Sequence, residues 1–340
     1  MMVGADFIDS KKENLKAKSR ELMEKASKIS LDFDLGLDYQ DIDKRIDYYQ
    51  NPKSGINYHR FNELAKRLGS GYQKGTLNLF LAPAGIGKSL LLSTSITDFI
   101  QQGYNVLLVS MEMSDFEFVK RIDADNLDLP INDLKNIPKE IIKNKFIEKS
   151  KQLGKFYTKQ YPAGSFSASM LESLLDMYKS NNIEFDLIFL DYIGIMKSDR
   201  VQPSAGLYSY IKAIAEEVRA VAVKRDKILV SCSQLGRIAM NKKDSDNSAI
   251  SDSIGTAQTA DFMCFLLQTD EMKEKSELIF KITKNRYTGR TDFFNMKVDY
   301  NKMRVSDVVE FNSKEQQLQT ETYVNDEIKR IEIESMQNLT

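Results

Sequence analysis

Two hydrophobic rhythms divide the chain. Continuous apolar runs at 77–81, 104–111, 185–190 and 228–233 read as strands buried on both faces, and a shorter strand is expected at 155–161. Between the runs lie longer stretches that read as helices: 61–68, 88–103, 114 onward, 138–153, 169–180 and 208–225. Ser114 with Glu117, and Ser169 with Glu172, have the spacing of capping boxes that open two of these helices. Strand and helix alternate, so the pattern predicts an α/β fold with a mostly parallel twisted sheet flanked by helices. Strands expected at 261–267, 278–284 and 293–299 follow one another without a helix between them, which predicts antiparallel edge strands near the C-terminus.

The two ends of the chain read differently. Residues 10–30 form a charged helical pattern with one apolar stripe, Leu15, Leu22, Met23 and Ala26. Such a stripe docks on another element or another subunit, or the segment stays a solvated terminus. Residues 31–57 are acidic and tyrosine-rich and end in Asn51-Pro52-Lys53-Ser54-Gly55, a turn or linker signal. From 311 onward apolar content falls, and six acidic residues stand against three basic ones. That segment reads as an acidic tail or a short partner-binding helix. The expected organisation is a linker helix and linker at 1–57, one globular domain at 58–310 and a flexible tail at 311–340.

Composition narrows the function classes. Of 340 residues, 42% are hydrophobic and 29% charged, which suits a globular protein with a substantial core. No run approaches the roughly 18 apolar residues of a membrane span, and no apolar signal segment is evident at 1–15, so a cytoplasmic protein without membrane contact is expected. The two cysteines, Cys232 and Cys264, sit in apolar runs and read as reduced core residues. With one histidine, His59, far from both, zinc-finger spacing is absent. The net charge of −1 excludes a globally basic nucleic-acid binder, while leaving room for a few basic residues on a loop.

The chemistry concentrates at residues 82–90, Ala82, Pro83, Ala84, Gly85, Ile86, Gly87, Lys88, Ser89 and Leu90. A buried strand, a turn of small residues and an apolar helix opened by Lys-Ser are the parts of a phosphate loop, the Walker A motif. Small residues let backbone N–H groups approach phosphate oxygens, and the helix N-terminus adds a favourable dipole. Lys88 would reach the β- and γ-phosphates, and the Ser89 hydroxyl would hold Mg²⁺. Ala82 stands where the motif usually has its first glycine. Asp191 ends the apolar run at 185–190, the Walker B pattern of a carboxylate that orders the Mg²⁺ shell. ATP and Mg²⁺ are therefore the expected ligands. Glu112 and Gln234 end two other strands on the same rim. Glu112 could orient an attacking water or be an ordinary strand end, and Gln234 could bond a γ-phosphate or simply face water.

Taken together, the phosphate loop, Ser110-Met111-Glu112-Met113, Asp191, Ser233-Gln234-Leu235 and Lys284-Asn285-Arg286 resemble the RecA-like motor of DnaB-type replicative helicases. The stretches 109–113, 120–124, 159–162 and 212–217 bring the resemblance nearest to the branch found in T-even-like phages. It covers roughly residues 30–305. The resemblance implies an ATP-dependent replicative DNA helicase, a ring of subunits, usually six, that translocates on single-stranded DNA and unwinds duplex at the fork. It implies Glu112 as catalytic glutamate, Asp191 as Walker B aspartate, Gln234 as switch residue, and Arg286 with Lys284 as a finger pair reaching a neighbour's ATP. Without the resemblance, Lys284 and Arg286 read as a solvated basic edge.

Two central loops of the family match 197–206, with Lys197 and Arg200, and 237–255, with Arg237, Lys242 and Lys243. These cations would track DNA phosphates without reading bases, and ordinary solvated loops are the competing reading. The family's N-terminal collar domain has no counterpart in the residues before the motor, so primase binding is in doubt, and primase and a helicase loader are further partners the resemblance suggests. The rival readings are a recombinase-type ATPase on the same fold, and a binding module in which nucleotide only locks assembly.

Overall fold

The computed structural model describes residues 36–50, 55–234 and 258–308. The chain divides into two compact units, Met1–Lys53 and Ser54–Thr340. In the first unit the described residues form α1 (Ile42–Gln50), a helix with no buried residue. It lies inside the segment expected to be linker. Tyr39, Ile42, Ile46, Tyr48 and Tyr49 are exposed on or beside it. The charged helix expected at 10–30 lies outside the described residues.

The second unit opens earlier than residue 58. Ile56 bridges Tyr72, and Ile56, Tyr58 and Phe61 are all buried. Then come α2 (Asn62–Leu68), β1 (Thr76–Ala82), α3 (Lys88–Gln101), β2 (Val106–Ser110), α4 (Asp115–Asn126), α5 (Lys139–Ser150), β3 (Phe156–Gln160) and α6 (Ala168–Ser180). They are followed by β4 (Leu187–Asp191), α7 (Leu207–Arg225), β5 (Ile228–Gln234), β6 (Phe262–Leu267), α8 (Asp270–Glu274), β7 (Glu277–Asn285), β8 (Phe293–Asp299) and β9 (Arg304–Asp307).

The described strands make one sheet in the order β3-β2-β4-β5-β1-β6-β7-β8-β9. All pairings from β3 through β6 are parallel, and β7, β8 and β9 add antiparallel strands. All seven positions of β1 are buried, because the strand sits mid-sheet with helices on both faces. Its side chains alternate between two cores. Phe80 and Ala82 join the cluster under α2, α3 and α4, while Leu77, Leu79 and Leu81 join the one under α6 and α7. Continuous apolar runs follow from this double burial.

Four details differ from the sequence pattern. Ser167, not Ser169, caps α6, accepting from Met170 N; Ser169 lies inside the helix and bonds Asp199. The five-residue α8 separates β6 from β7, where no helix was expected, and Thr269 caps it. The edge strand β9 was not expected: it has four residues, of which Val305 alone is buried. Helix α1 is the fourth. Ser114 does cap α4, accepting from Glu117 N. Among the described residues no helix is long and apolar enough to cross a membrane.

Candidate active site

Strand register brings the motif residues to one rim. Ala82 pairs with Gln234 at the ends of β1 and β5, and Ser110 pairs with Asp191 at the ends of β2 and β4. In open parallel sheets this carboxyl-end rim is where ligands bind. The turn after β1 is built on Gly85 at φ +84° and Gly87 at φ +107°, left-handed conformations that L side chains rarely adopt. Gly87 is the N-cap of α3 and offers no capping side chain, so the first N–H groups of that helix face the turn uncapped. An anion seated there meets both N–H donors and helix dipole. The Lys88 ammonium folds back over the turn, 3.5 Å from the Pro83 carbonyl.

Beneath the loop lies Asp191, with none of its surface exposed. Ser89 Oγ is 3.5 Å from its Oδ2, and its Oδ1 has no partner. Burial first, and then the charge of Glu112, push its carboxyl up to about 7, against the opposing pull of Lys88, Arg121 and the Ser89 hydroxyl. A buried, half-satisfied carboxylate beside a hydroxyl is an oxygen donor set that fits a hard divalent cation such as Mg²⁺. Ser231 steadies the turn: its hydroxyl donates to the Leu190 carbonyl and accepts from Ile193 N. Asp191 O accepts from Met111 N, which ties β4 to the turn carrying Glu112. Ser110 folds that turn by donating to Met113 O and accepting from Met113 N, and Glu112 stands exposed on it. Gln234 is half-buried at the tip of β5.

Arg121 of α4 joins this group, although sequence reasoning gave it no role. It sits partly buried within electrostatic reach of Asp191, Glu117 and Glu112, and burial lowers its affinity for the proton. The stretch 120–124 carried it only as part of a resemblance. Cys232, buried beside the Lys88 carbonyl, has its thiol pushed far up by burial.

Lys284 and Arg286 are not at this rim. Lys284 pairs across to Met263 and Asn285 to Phe262, at the start of β6, and Arg286 N donates to Asp261 O. Asp261 in turn brackets Leu77 at the start of β1. Five residue steps along β1 separate Leu77 from Ala82, about 16 Å at the usual rise per residue. Arg286 Nη1 is 2.8 Å from Asp261 Oδ1, and Lys284 Nζ donates to the Gln258 carbonyl.

Of the loop cations, Lys197 is exposed, its N–H bonded to the Phe166 carbonyl. Arg200 is engaged within the protein: its guanidinium bonds Glu216, Glu217 and the Ala213 carbonyl on α7. Arg237, Lys242 and Lys243 lie outside the described residues. So does the tail expected at 311–340.

Strand order, phosphate loop and buried carboxylate define a RecA-like P-loop ATPase fold. Residues 55–307 match the family model of the DnaB-like helicase C-terminal domain, and the chain belongs to that family. It is 36% identical over 275 residues to the DnaB-like replicative helicase of Enterobacteria phage T4, a match covering 78% of this chain and 58% of that protein. To the replicative DNA helicase DnaB of Helicobacter pylori strain J99 it is 24% identical over 239 residues, covering 68% and 48%. The chain thus spans about half the length of these curated relatives. Among solved structures, an ATPase domain superposes with a TM-score of 0.65 at 18% identity, covering 80% of this chain and all of that one. A DnaB-like replicative helicase studied for its interactions with primase gives a TM-score of 0.63 at 18% identity, covering 85% and 71%. At that identity the two structures speak to fold alone.

Proposed function

We propose that this chain is the motor of an ATP-dependent replicative DNA helicase, acting as a ring on single-stranded DNA in the cytoplasm. The observation that carries the reading is the buried Asp191, with one oxygen toward Ser89 and one unpartnered, at the foot of the phosphate loop. The family match and the phage T4 relative support the helicase class over a recombinase.

In this reading the loop from Ala82 to Leu90 holds the ATP phosphates, with Lys88 on the β- and γ-oxygens. Ser89 and Asp191 hold Mg²⁺, which when bound neutralises charge on the phosphates and orients them. Glu112, exposed on its folded turn, accepts a proton from or orients the attacking water. Gln234, side by side with the loop through its pairing to Ala82, registers whether the γ-phosphate is present. Arg286 stands at the far end of β1 from its own loop, so the phosphate it can reach belongs to another subunit. A planar cation supplied from a neighbour stabilises transition-state charge and ties hydrolysis to assembly. Lys284 accompanies it. Lys197 tracks DNA phosphates, with Arg237, Lys242 and Lys243 on the second loop. Arg200 acts as an anchor of its loop on α7. The motor extends from Ser54 to about residue 310, with linker before it and an acidic tail after it. Primase and a loader are partners to be tested.

Strand displacement on a forked DNA, with the single-stranded tail placed 5′ or 3′, tests the proposal. ATP-dependent unwinding that needs a 5′ tail is expected. Hydrolysis with no unwinding on either fork would overturn the helicase reading in favour of a recombinase-type ATPase, and no hydrolysis would leave a nucleotide-locked binding module.

A further inference from the structure

Asp261 is the most heavily used carboxylate at the far end of the sheet. It is 6% exposed by side chain, yet its two oxygens accept from Arg219 Nε at 3.0 Å, Arg219 Nη2 at 3.1 Å, Arg286 Nη1 at 2.8 Å and Leu77 N at 3.1 Å. Its backbone repeats the pattern, donating to Leu77 O and accepting from Arg286 N. One residue thus fixes both the main chain and the guanidinium of Arg286 to the first residues of β1. The side chain of Arg286 is nevertheless 51% exposed. It is held at Nη1, and among the described residues its guanidinium makes no other hydrogen bond.

The loop around Arg286 is pinned as well. Asn285 Nδ2 bonds the Arg67 carbonyl, Thr288 and the Arg290 carbonyl, and its Oδ1 accepts from Tyr287 N and Thr288 N. The Tyr287 hydroxyl reaches Thr76 and Asn78 in β1. Such a loop cannot swing freely, so the direction of Arg286 is set by what holds its head.

Charge decides whether that hold is useful. One carboxylate and one guanidinium would make a neutral pair, and a phosphate would have to compete with Asp261 for Arg286. Here two guanidinium groups share one carboxylate, so the trio keeps a net charge of +1, and Lys284 adds another nearby. Burial works to raise the Asp261 carboxyl, but the bonds from Arg219, Leu77 N and Arg286 outweigh it and hold it below the usual carboxylate range. Charge-assisted bonds of this kind orient a group more firmly than neutral ones.

We propose that Asp261 is the positioning residue for Arg286, gripping one edge of the guanidinium and turning the other toward a neighbouring subunit's phosphate, and that Arg219 keeps this grip loose enough by taking up half of the Asp261 charge. The proposal rests on the reading of Arg286 as a finger given in trans. Removing Asp261 leaves Arg286 on its loop but unaimed. Removing Arg219 leaves Asp261 to close on Arg286 alone.

Mixed assemblies of the full chain separate these roles. An acceptor subunit, Arg286→Ala, has an intact phosphate loop and no finger. A donor subunit, Lys88→Ala, has a finger and a dead loop. Mixed together, acceptor and donor should regain ATP hydrolysis that neither shows alone. A donor that also carries Asp261→Asn should restore at least about tenfold less kcat, in line with loss of a charge-assisted bond, with the acceptor's KM for ATP unchanged. A donor that carries Arg219→Gln should restore a few-fold less. The donor's own site is already dead, so a general structural effect on that site cannot produce these losses. Full restoration by the Asp261→Asn donor overturns the proposal, and so does full restoration by the Arg219→Gln donor, which retains Asp261 and its bonds from Leu77 N and Arg286. If the plain Lys88→Ala donor restores nothing, the finger reading itself fails and the proposal falls with it.

Discussion

Asp191 and Asp261 are both buried aspartates at the ends of strands in one sheet, and they have opposite surroundings. At the carboxyl-end rim, Asp191 has one weak hydroxyl neighbour, an unpartnered oxygen and a carboxyl pushed up to about 7 by burial and Glu112. At the other end, Asp261 is saturated by two arginines and a backbone N–H, and its carboxyl is held down. The difference separates an acid with no cation bonded to it from one that already has two. A buried carboxylate is tolerated only when paired, so the incomplete one marks where a ligand completes the protein. The complete one marks where the protein has spent its own cations to hold a group in place.

The largest effects should come from the incomplete end. Lys88→Ala is expected to abolish ATP hydrolysis, and Asp191→Asn to lower it by ~10² or more, read as steady-state phosphate release; turnover near the unmutated rate in either variant would remove the phosphate-loop assignment. Arg286→Ala should lower kcat by ~10³ while a fluorescent nucleotide still binds with its affinity largely intact. If binding at low protein concentration is lost along with turnover, Arg286 belongs to its own subunit's site and the contrast between the two ends collapses.

Much of the incomplete end was legible in the sequence, because its chemistry is carried by adjacent residues. A mostly apolar strand, two glycines and Lys88-Ser89 specify a loop through local geometry, and Asp191 closes another mostly apolar run. The complete end was not legible. Asp261 opens a strand like many aspartates do, and its partners lie 25, 42 and 184 positions away in the chain. Only the return of β7 against β6, and of α7 over β1, brings them together. The ion pairs of Arg200 were not legible for the same reason: its partners, Glu216 and Glu217, lie 16 and 17 positions away on α7. Helix α1 was hidden by an acidic, tyrosine-rich composition that resembles a linker. Strand β9 was hidden because one buried valine gives no periodicity. The Ser169–Glu172 spacing pointed to the wrong cap, because the helix already starts at Ala168 and Ser167 takes that place.

A third buried aspartate sharpens the comparison further. Asp125 in α4 accepts both Nη atoms of Arg60 and the Nε of Arg304. It resembles Asp261 in saturation and differs in that neither arginine is half free: both are mostly buried. Asp125→Ala should therefore cost roughly 3–5 kcal/mol of stability, the usual penalty for leaving buried cations unpaired, measured by urea denaturation. Its kcat at a temperature where the variant stays folded should be little changed. A large kcat loss without a stability loss would mean that saturation by arginines does not distinguish a structural pair from a positioning one.

The smallest effect lies in the pH dependence of stability, and the two ends should give it opposite signs. Asp191 has an ordinary carboxyl near 3.8 when unfolded and about 7 when folded. Between those values the folded chain binds a proton that the unfolded chain does not, so stability falls as pH rises from about 4 to 7 and is level above that. Asp98 and Asp123, both raised to about 6 chiefly by burial, add to the same slope at lower pH. The window between 6 and 7 therefore belongs mainly to Asp191. Asp261, held low in the folded chain, contributes stability above the unfolded value that disappears as pH falls below it. Urea denaturation of the nucleotide-free protein should show Asp191→Asn flattening the slope between pH 6 and 7 and raising stability at pH 8. Asp261→Asn should leave that slope alone and remove sensitivity only below pH 4. A retained slope between pH 6 and 7 in Asp191→Asn would mean that Asp191 is already ionised and compensated in the empty protein, and that the rim is not short of a positive charge.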